Sequence, residues 1–402
     1  MPNPPSLRSG DWRSVVASIA AVVDLEATAR QFNALRRRRK IRSAESLLRL
    51  ALMWGPGRQS FRSAAALAAD AGIADLSDKA IEGRLRKMGD WLEHILAMLL
   101  IARLGARVTG ARGLTLSLVD GSVIWAPGKG QDWRLHARYD PARGRFADLA
   151  LTTTREAEAV ARTRICPGSL LITDRGYARV RNFQAVLAAG ANFITRTSWG
   201  SVKLHDAQGR RVDVAALLAE TTEPRDIAVW VKGIARGFRL VIQPLPSEAA
   251  ARERDRRVRK ANRKSQKIQP RTVLAAGFLM LLTSLPADTH PIELVTAPYR
   301  DRWQVEIGIK RLKTLGRLDE LPCADPVLAR TWLLAHLLAA VLTDDLANEI
   351  VGFPPSARRG ETAGAIGREG EETARAIALA RLGQGTGHPA RRHRAPAQSA
   401  YP

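Results

Sequence analysis

Residues 299–313 read YRDRWQVEIGIKRLK, and the spacing within them decides how the rest of the chain is read. Arg302, Glu306 and Lys313 follow Tyr299 at offsets of 3, 7 and 14. At roughly 100° per residue these positions return to within an arc of about 60°, so a helix here would present all of them on one face. Pro298 suits a first helical turn and predicts that this helix opens just before Tyr299. The face would carry an aromatic ring, cations able to hold phosphates, and a carboxylate able to hold a hard metal ion. A solvated helix with i,i+4 charge pairs would satisfy the same pattern, so the decision rests on carboxylates elsewhere.

Working outward, Leu114 to Val119 (LTLSLV) predicts a buried strand ending at Asp120-Gly121. Further strands are expected at residues 132–139 and 145–153, joined by the turn Asp140-Pro141-Ala142-Arg143-Gly144. A helix is expected from Glu156 to Arg162. The run SLLIT, Ser169 to Thr173, predicts another apolar strand ending at Asp174-Arg175-Gly176-Tyr177, followed by a helix over 180–189 and a strand over 192–197. The result is an α/β unit in which two strands end in aspartates. Two divalent ions about 3.5–4 Å apart can activate a hydroxyl and stabilise a leaving oxygen, and they need several carboxylates aimed at one point. Asp120 and Asp174 would stand side by side if their strands are neighbours, with Glu306 closing the site. Magnesium suits such an all-oxygen set. Alone, each aspartate reads as a turn or a cap; together with Glu306 they point to phosphodiester chemistry. His136 has no nucleophile to pair with and reads as structural.

Lys and Arg total 63 against 39 Asp and Glu, a net charge of +24 with a pI near 11.2. A polyanionic partner accounts for that balance, since phosphate neutralisation supplies most non-specific nucleic-acid affinity. No apolar run reaches the roughly 20 residues of a spanning helix, the best being Leu333 to Leu342 with His336 inside it. The N-terminal residues lack an apolar signal region. Cys166 and Cys323 cannot build a disulfide framework, which fits a reducing cytoplasm. Residues 11–104 read as helices. Within them Ser60 and Ser77 can cap two helices around the turn Ala71-Gly72-Ile73, a helix-turn-helix whose second helix carries Lys79, Arg84, Arg86 and Lys87, with a basic run from Arg36 to Lys40 upstream. Residues 199–285 hold short β-type pieces and a basic segment, Arg252 to Arg271, that reads equally as a solvated linker or an arm tracking DNA. Residues 326–350 read as helix. The composition beyond Pro355 predicts a disordered tail.

The order LVDG (118–121), ITDRGY (172–177), a β-rich insertion, then Tyr299, Arg302, Glu306 and Lys313 resembles the IS-four family of DDE transposases over about residues 10–350. The resemblance implies an α/β fold with a ribonuclease-H-like catalytic core and a β-rich insertion, preceded by an all-α N-terminal domain and followed by C-terminal helices. On that reading residues 1–110 form a helical DNA-binding domain, 111–198 and 287–352 the two parts of the core and the C-terminal helices, 199–286 the insertion, and 353–402 the tail. It implies that Asp120, Asp174 and Glu306 are catalytic and bind two Mg²⁺ ions, with Mn²⁺ able to substitute. Tyr299, Arg302 and Lys313 would hold DNA near the cleaved end, with Lys310, Arg175 and Tyr177 beside them. The implied activity is cut-and-paste transposition of an insertion sequence through a hairpin intermediate. The implied partners are double-stranded DNA (terminal inverted repeats and target) and a second copy of the chain in a synaptic dimer, with no membrane. The sequence departs from the family where some members place a base-receiving tryptophan before a T-S-x-P run; here Phe278 stands there, and Trp199 and Trp230 are the other aromatic candidates. Its last residues also differ from the usual continuation. A transposase-derived DNA-binding protein or inhibitor, and a stand-alone metal-dependent nuclease, are the competing readings.

Overall fold

The computed structural model describes residues 9–103, 113–314 and 316–351, so the expected C-terminal tail lies outside the described residues. The chain divides into two compact units. Of the described residues, one holds 9–95 and 330–347, and the other 96–329 and 348–351.

The first unit is helical: α1 (Ser9–Ala20), α2 (Leu25–Gln31), α3 (Ala44–Trp54), α4 (Phe61–Asp70), α5 (Asp78–Leu85) and the start of α6 (Gly89–Ala102). Side chains close the helix starts as the sequence predicts. Ser60 accepts from the Ser63 amide at 3.0 Å and Ser77 from the Ala80 amide at 3.3 Å, each satisfying a donor that a helix start leaves unpaired. Lys79 on α5 and Arg86 at its end both pair with Glu82, at 2.9 and 3.0 Å. The last helix, α13 (Pro326–Val351), contributes its apolar Arg330–Ala347 stretch to this unit. Residues Pro326–Asp345 are long and apolar enough to cross a membrane on composition, a longer stretch than the sequence reading allowed; 78% of it is buried inside the protein, as in a core helix.

The second unit is built on a mixed sheet of nine strands in the order β3-β2-β1-β4-β5-β9-β8-β7-β6. These are β1 (Thr115–Ile124), β2 (Trp133–Asp140), β3 (Arg145–Thr153), β4 (Ser169–Thr173), β5 (Asn192–Arg196), β6 (Leu204–His205), β7 (Arg225–Val231), β8 (Phe238–Pro244) and β9 (Phe278–Thr283). β1 runs parallel to β4 and β4 to β5, whereas β2 is antiparallel to β1 and β3. All of β4 is buried, which is why it reads as an unbroken apolar run and not as an alternating one. Helix α7 (Val180–Ala188) crosses from β4 to β5, and Phe183 stacks on Phe193 at 4.6 Å in the core beneath it. Strands β6 to β9 extend the sheet beyond β5, with α8 (Val214–Ala219), α9 (Ser247–Arg263) and α10 (Pro270–Ala275) between them.

Four expectations are corrected. Strand β1 does not stop at Asp120-Gly121: it continues to Ile124, still paired with β2, because cross-strand bonding overrides the local turn signal. The helix expected over 156–162 is only a short 3-10 turn, Val160–Arg162. The basic segment from Arg252 begins inside α9, where Glu248–Arg252, Glu253–Arg257 and Asp255–Arg259 are i,i+4 pairs, so up to Arg263 it is an ordered helix and not a linker. Finally, Tyr299 to Lys313 spans two helices, α11 (Ile292–Arg300) and α12 (Trp303–Thr314). Pro298 lies near the end of α11 instead of opening a helix, and its missing N–H weakens the last turn. The chain then tightens through i→i−3 bonds from Asp301, Arg302 and Gln304 to Pro298, Tyr299 and Asp301.

Candidate active site

Parallel pairing of β1 with β4 ends in the register Val119 opposite Thr173, so the next residues on the two neighbouring strands are Asp120 and Asp174. The condition that the sequence left open, adjacency of the two strands, is met. Asp174 turns its side chain onto the Gly176 amide (2.8 Å), capping the 3-10 turn Arg175–Tyr177, and Asp120 accepts from the Gly121 amide (2.8 Å). Glu306 arrives from the first turn of α12, which rests on β1 and β2. Gly308 permits that approach: a Cβ added there would come within 3.0 Å of the buried Phe146 ring and 3.5 Å of Tyr139. Gly308→Ala is therefore expected to push α12 off the sheet by a few tenths of an ångström, costing about 1–2 kcal/mol and lowering the cleavage rate about tenfold. Urea melts and single-turnover cleavage check this, and a wild-type rate would refute it.

Arg302 binds the carboxylates together. Its Nη2 stands 2.6 Å from Glu306 Oε1 and its Nη1 3.8 Å from Asp120 Oδ2, while its guanidinium lies 5.8 Å from the centre of the Tyr299 ring. Burial would lower the Arg302 pKa, but Tyr299, Glu306 and Asp120 outweigh it and raise it. Asp120 is pushed up to about 6, first by burial and then by the charges of Asp174 and Glu306, against the Gly121 hydrogen bond and Arg302, which pull it down. Asp120 thus feels both of the other acids, yet among the described residues no three His, Cys, Asp or Glu side chains stand close enough together to hold a metal. Glu306 is drawn onto Arg302 and remains half exposed.

The other expected contacts divide. Lys310 and Arg175 are exposed beside the acids. Arg175 has its pKa lowered by partial burial and by Arg257 and Arg196, which marks a cationic cluster next to Asp174. Lys313 is half-buried and donates to the Val123 carbonyl at 2.6 Å, which anchors α12 to β1. Tyr177 is corrected: at 1% exposure it lies in the core, where it cannot reach DNA. Phe278, at 9% exposure, is likewise a core residue, and Trp199 packs against the same cluster. The exposed tryptophans are Trp303 (51%), adjacent to Arg302, and Trp125 (67%). His136 bonds Thr152 at 2.9 Å and is held neutral by burial, which lowers its pKa to about 4.

Nothing in the local sequence pattern singles out Glu158. A Cβ on Gly121 would lie 3.4 Å from its Oε1 and one on Gly176 3.1 Å from its Oε2, so this carboxylate stands beside both aspartate-bearing turns. Arg134 Nε is 3.8 Å away. The buried Tyr177 hydroxyl has no hydrogen-bond partner, and its pKa is raised by burial and then by Glu158, Asp120 and Asp174. Glu158 is thus a fourth acid behind the other three. Replacing it by Gln is expected to raise the divalent-ion concentration needed for half-maximal cleavage about tenfold, as loss of an outer partner of a metal site does. A metal titration of cleavage decides the point, and an unchanged midpoint would count against it.

A family model described as a transposase DDE domain matches residues 111–342, the span that holds all four acids. The chain is 38% identical over 361 residues to transposase InsL for insertion sequence element IS186A of Escherichia coli strain K12, covering 86% of this chain and 96% of that one. It is also 38% identical over 362 residues, with the same coverage, to the transposase for insertion sequence element IS421 of Escherichia coli. The chain belongs to the IS-four family of DDE transposases, enzymes that move insertion sequences.

Proposed function

We propose that this transposase moves its element by cut and paste, with Asp120, Asp174 and Glu306 as the catalytic acids of a ribonuclease-H-like core. The observation that carries this reading is the register of β1 and β4, which sets Asp120 beside Asp174 at the end of their parallel pairing, with Glu306 brought to Asp120 by Arg302. The strand order β3-β2-β1-β4-β5, with β2 alone antiparallel to β1 and β4, supports the core assignment. On this reading residues 1–110 serve DNA binding, 111–198 and 287–352 the core and C-terminal helices, and 199–286 the insertion.

The family implies a divalent metal in general. The donor chemistry suits one once Glu306 leaves Arg302: the donors are all carboxylate oxygens, and Asp120, raised to about 6, is a group that a nearby cation would return to its ionised form. Asp120, Asp174 and Glu306 would hold the ions, Mg²⁺ or Mn²⁺, which supply an activated hydroxyl and charge neutralisation when bound. Without an ion, Arg302 pairs with Glu306 and stands 3.8 Å from Asp120. Tyr299 backs the guanidinium of Arg302, Lys313 fixes α12 to β1, and Lys310 with the Arg175 cluster offers phosphates a cationic rim. Exposed Trp303 gives a displaced base a ring to stack on. The chain would act on its element's terminal repeats and on target DNA, as a dimer, in the cytoplasm.

The test is a labelled duplex carrying the element's terminal repeat, incubated with Mg²⁺, Mn²⁺ or EDTA. Metal-dependent nicking at the repeat boundary followed by joined products is the expected result. Nicking with no joined product would favour a stand-alone nuclease, and binding without cutting a DNA-binding derivative.

A further inference from the structure

A second site lies on the other face of the same sheet. Side chains alternate along a strand, so Val119 and its partner Arg138 point away from the face that carries Asp120. On their side, at the starts of β1 and β4, is a small cavity of about 30 Å³ that opens to solvent. Arg103, Arg138, Arg143 and Arg145 line it, with Asp140 as the sole acid among its lining residues. That acid is committed: one oxygen pairs with Arg143 at 2.7 Å, and the other accepts from the turn amides of Ala142 and Arg143.

Arg138 is then left without a counter-charge. It is 3% exposed, its Nη1 reaches only the Cys166 sulfur at 3.5 Å, and its Nε and Nη2 have no hydrogen-bond partner. Asp148, opposite it on β3, accepts from the amides of Leu149 and Arg164 instead. Burying a guanidinium without a partner is costly, and buried donors left unpaired are rare in folded proteins. Nε and Nη2 form one edge of the guanidinium plane, the fork that meets two oxygens of a carboxylate or phosphate at once. The excess of arginine over acid around the cavity favours a phosphate group, whose oxygens can meet several guanidinium groups at once, over a single carboxylate.

We propose that this cavity binds one phosphate group, held on the free edge of Arg138, with Arg143 and Arg145 adding charge. Because the site faces away from Asp120, the group it takes is distinct from the phosphodiester being cut. Free inorganic phosphate and a backbone phosphodiester of DNA both offer the two unbridged oxygens that this edge would meet.

Equilibrium dialysis of the full chain against radiolabelled inorganic phosphate, in 150 mM NaCl, tests the proposal. Saturable binding near one equivalent is expected, retained in Asp174→Asn and weakened at least tenfold in Arg138→Gln. Should Arg138→Gln fail to fold, Arg145→Gln is expected to weaken binding at least threefold. A plain duplex that displaces the label would identify the natural occupant as a DNA backbone phosphate, and a label that stays bound would identify a free phosphate. No saturable binding, or binding indifferent to both arginine substitutions, would overturn the proposal. Failure of the terminal-repeat cleavage assay would leave it standing, since neither the cavity nor this readout uses the triad.

Discussion

Glu306→Gln is expected to abolish strand cleavage, by at least about 10³-fold, while leaving duplex binding and fold stability nearly unchanged. The substitution keeps shape and removes one negative charge from the carboxylate that Arg302 links to Asp120. Little stability is at stake, because the Glu306 side chain is half exposed and its ion pair with Arg302 lies at the surface of the site. Exposed substitutions of that kind usually stay within about 0.5 kcal/mol. Arg302 retains Asp120 and Tyr299 as neighbours, so the cationic face presented to DNA survives. Single-turnover cleavage of a terminal-repeat duplex, gel-shift titration and urea melts on the same preparation separate these claims. Cleavage above about one per cent of wild type would remove Glu306 from the catalytic set. A loss of binding as large as the loss of cutting would instead make it a DNA contact.

Strands bounded by clear turn or Gly punctuation were the elements most legible in the sequence, β3 at Arg145–Thr153 among them. β4 was bounded to the residue, as Ser169–Thr173, because an apolar run with polar or Gly punctuation leaves few alternatives. The Ser60 and Ser77 caps were legible for a similar reason, since a hydroxyl before an apolar helix has one common use. Asp120 stands out by type and position, but its setting differs from the expected strand end: Asp-Gly is a turn signal only when no partner strand continues beside it, and β2 does continue. The break at Asp301-Arg302 was hidden because 3.6-residue periodicity runs through a tight turn almost unchanged. That break matters, since it lets Arg302 reach both Glu306 and Asp120.

Glu158 and Arg138 were not legible at all. Each gains its meaning from a neighbour distant in sequence: Glu158 from Gly121 and Gly176, Arg138 from the absence of any acid free to pair with it. Local pattern reports which face a residue occupies, and says nothing of what waits there. The carboxylates and cations of the signature were visible because chemistry requires those residue types. The supporting residues were not, because packing could have drawn them from anywhere.

Asp120→Asn is expected to stabilise the metal-free protein at pH 7.5, by up to about 3 kcal/mol, while abolishing cleavage. The folded-state pKa of Asp120 is raised from 3.8 to about 6, chiefly by burial and secondly by Asp174, with Glu306 also contributing. An acid whose pKa is raised on folding binds more protons in the folded state than in the unfolded one between those values. Stability from this group therefore falls as pH climbs from about 4 to about 6 and stays at its lower level above that. About two pKa units at 1.36 kcal/mol each set the ceiling. Asparagine can still accept from Gly121 and carries no charge to repel Asp174 and Glu306. Urea melts in EDTA should then show the variant ahead of wild type at pH 7.5 and the two converging near pH 4. A divalent ion should reverse the order at pH 7.5, since it stabilises only the chain that offers it a carboxylate. If the variant is instead the less stable at pH 7.5 in EDTA, Arg302 outweighs burial and the other acids, and Asp120 is held ionised before any metal arrives. The sign of one melt thus decides whether this site stores repulsion for a cation to relieve or is already neutralised by its own arginine.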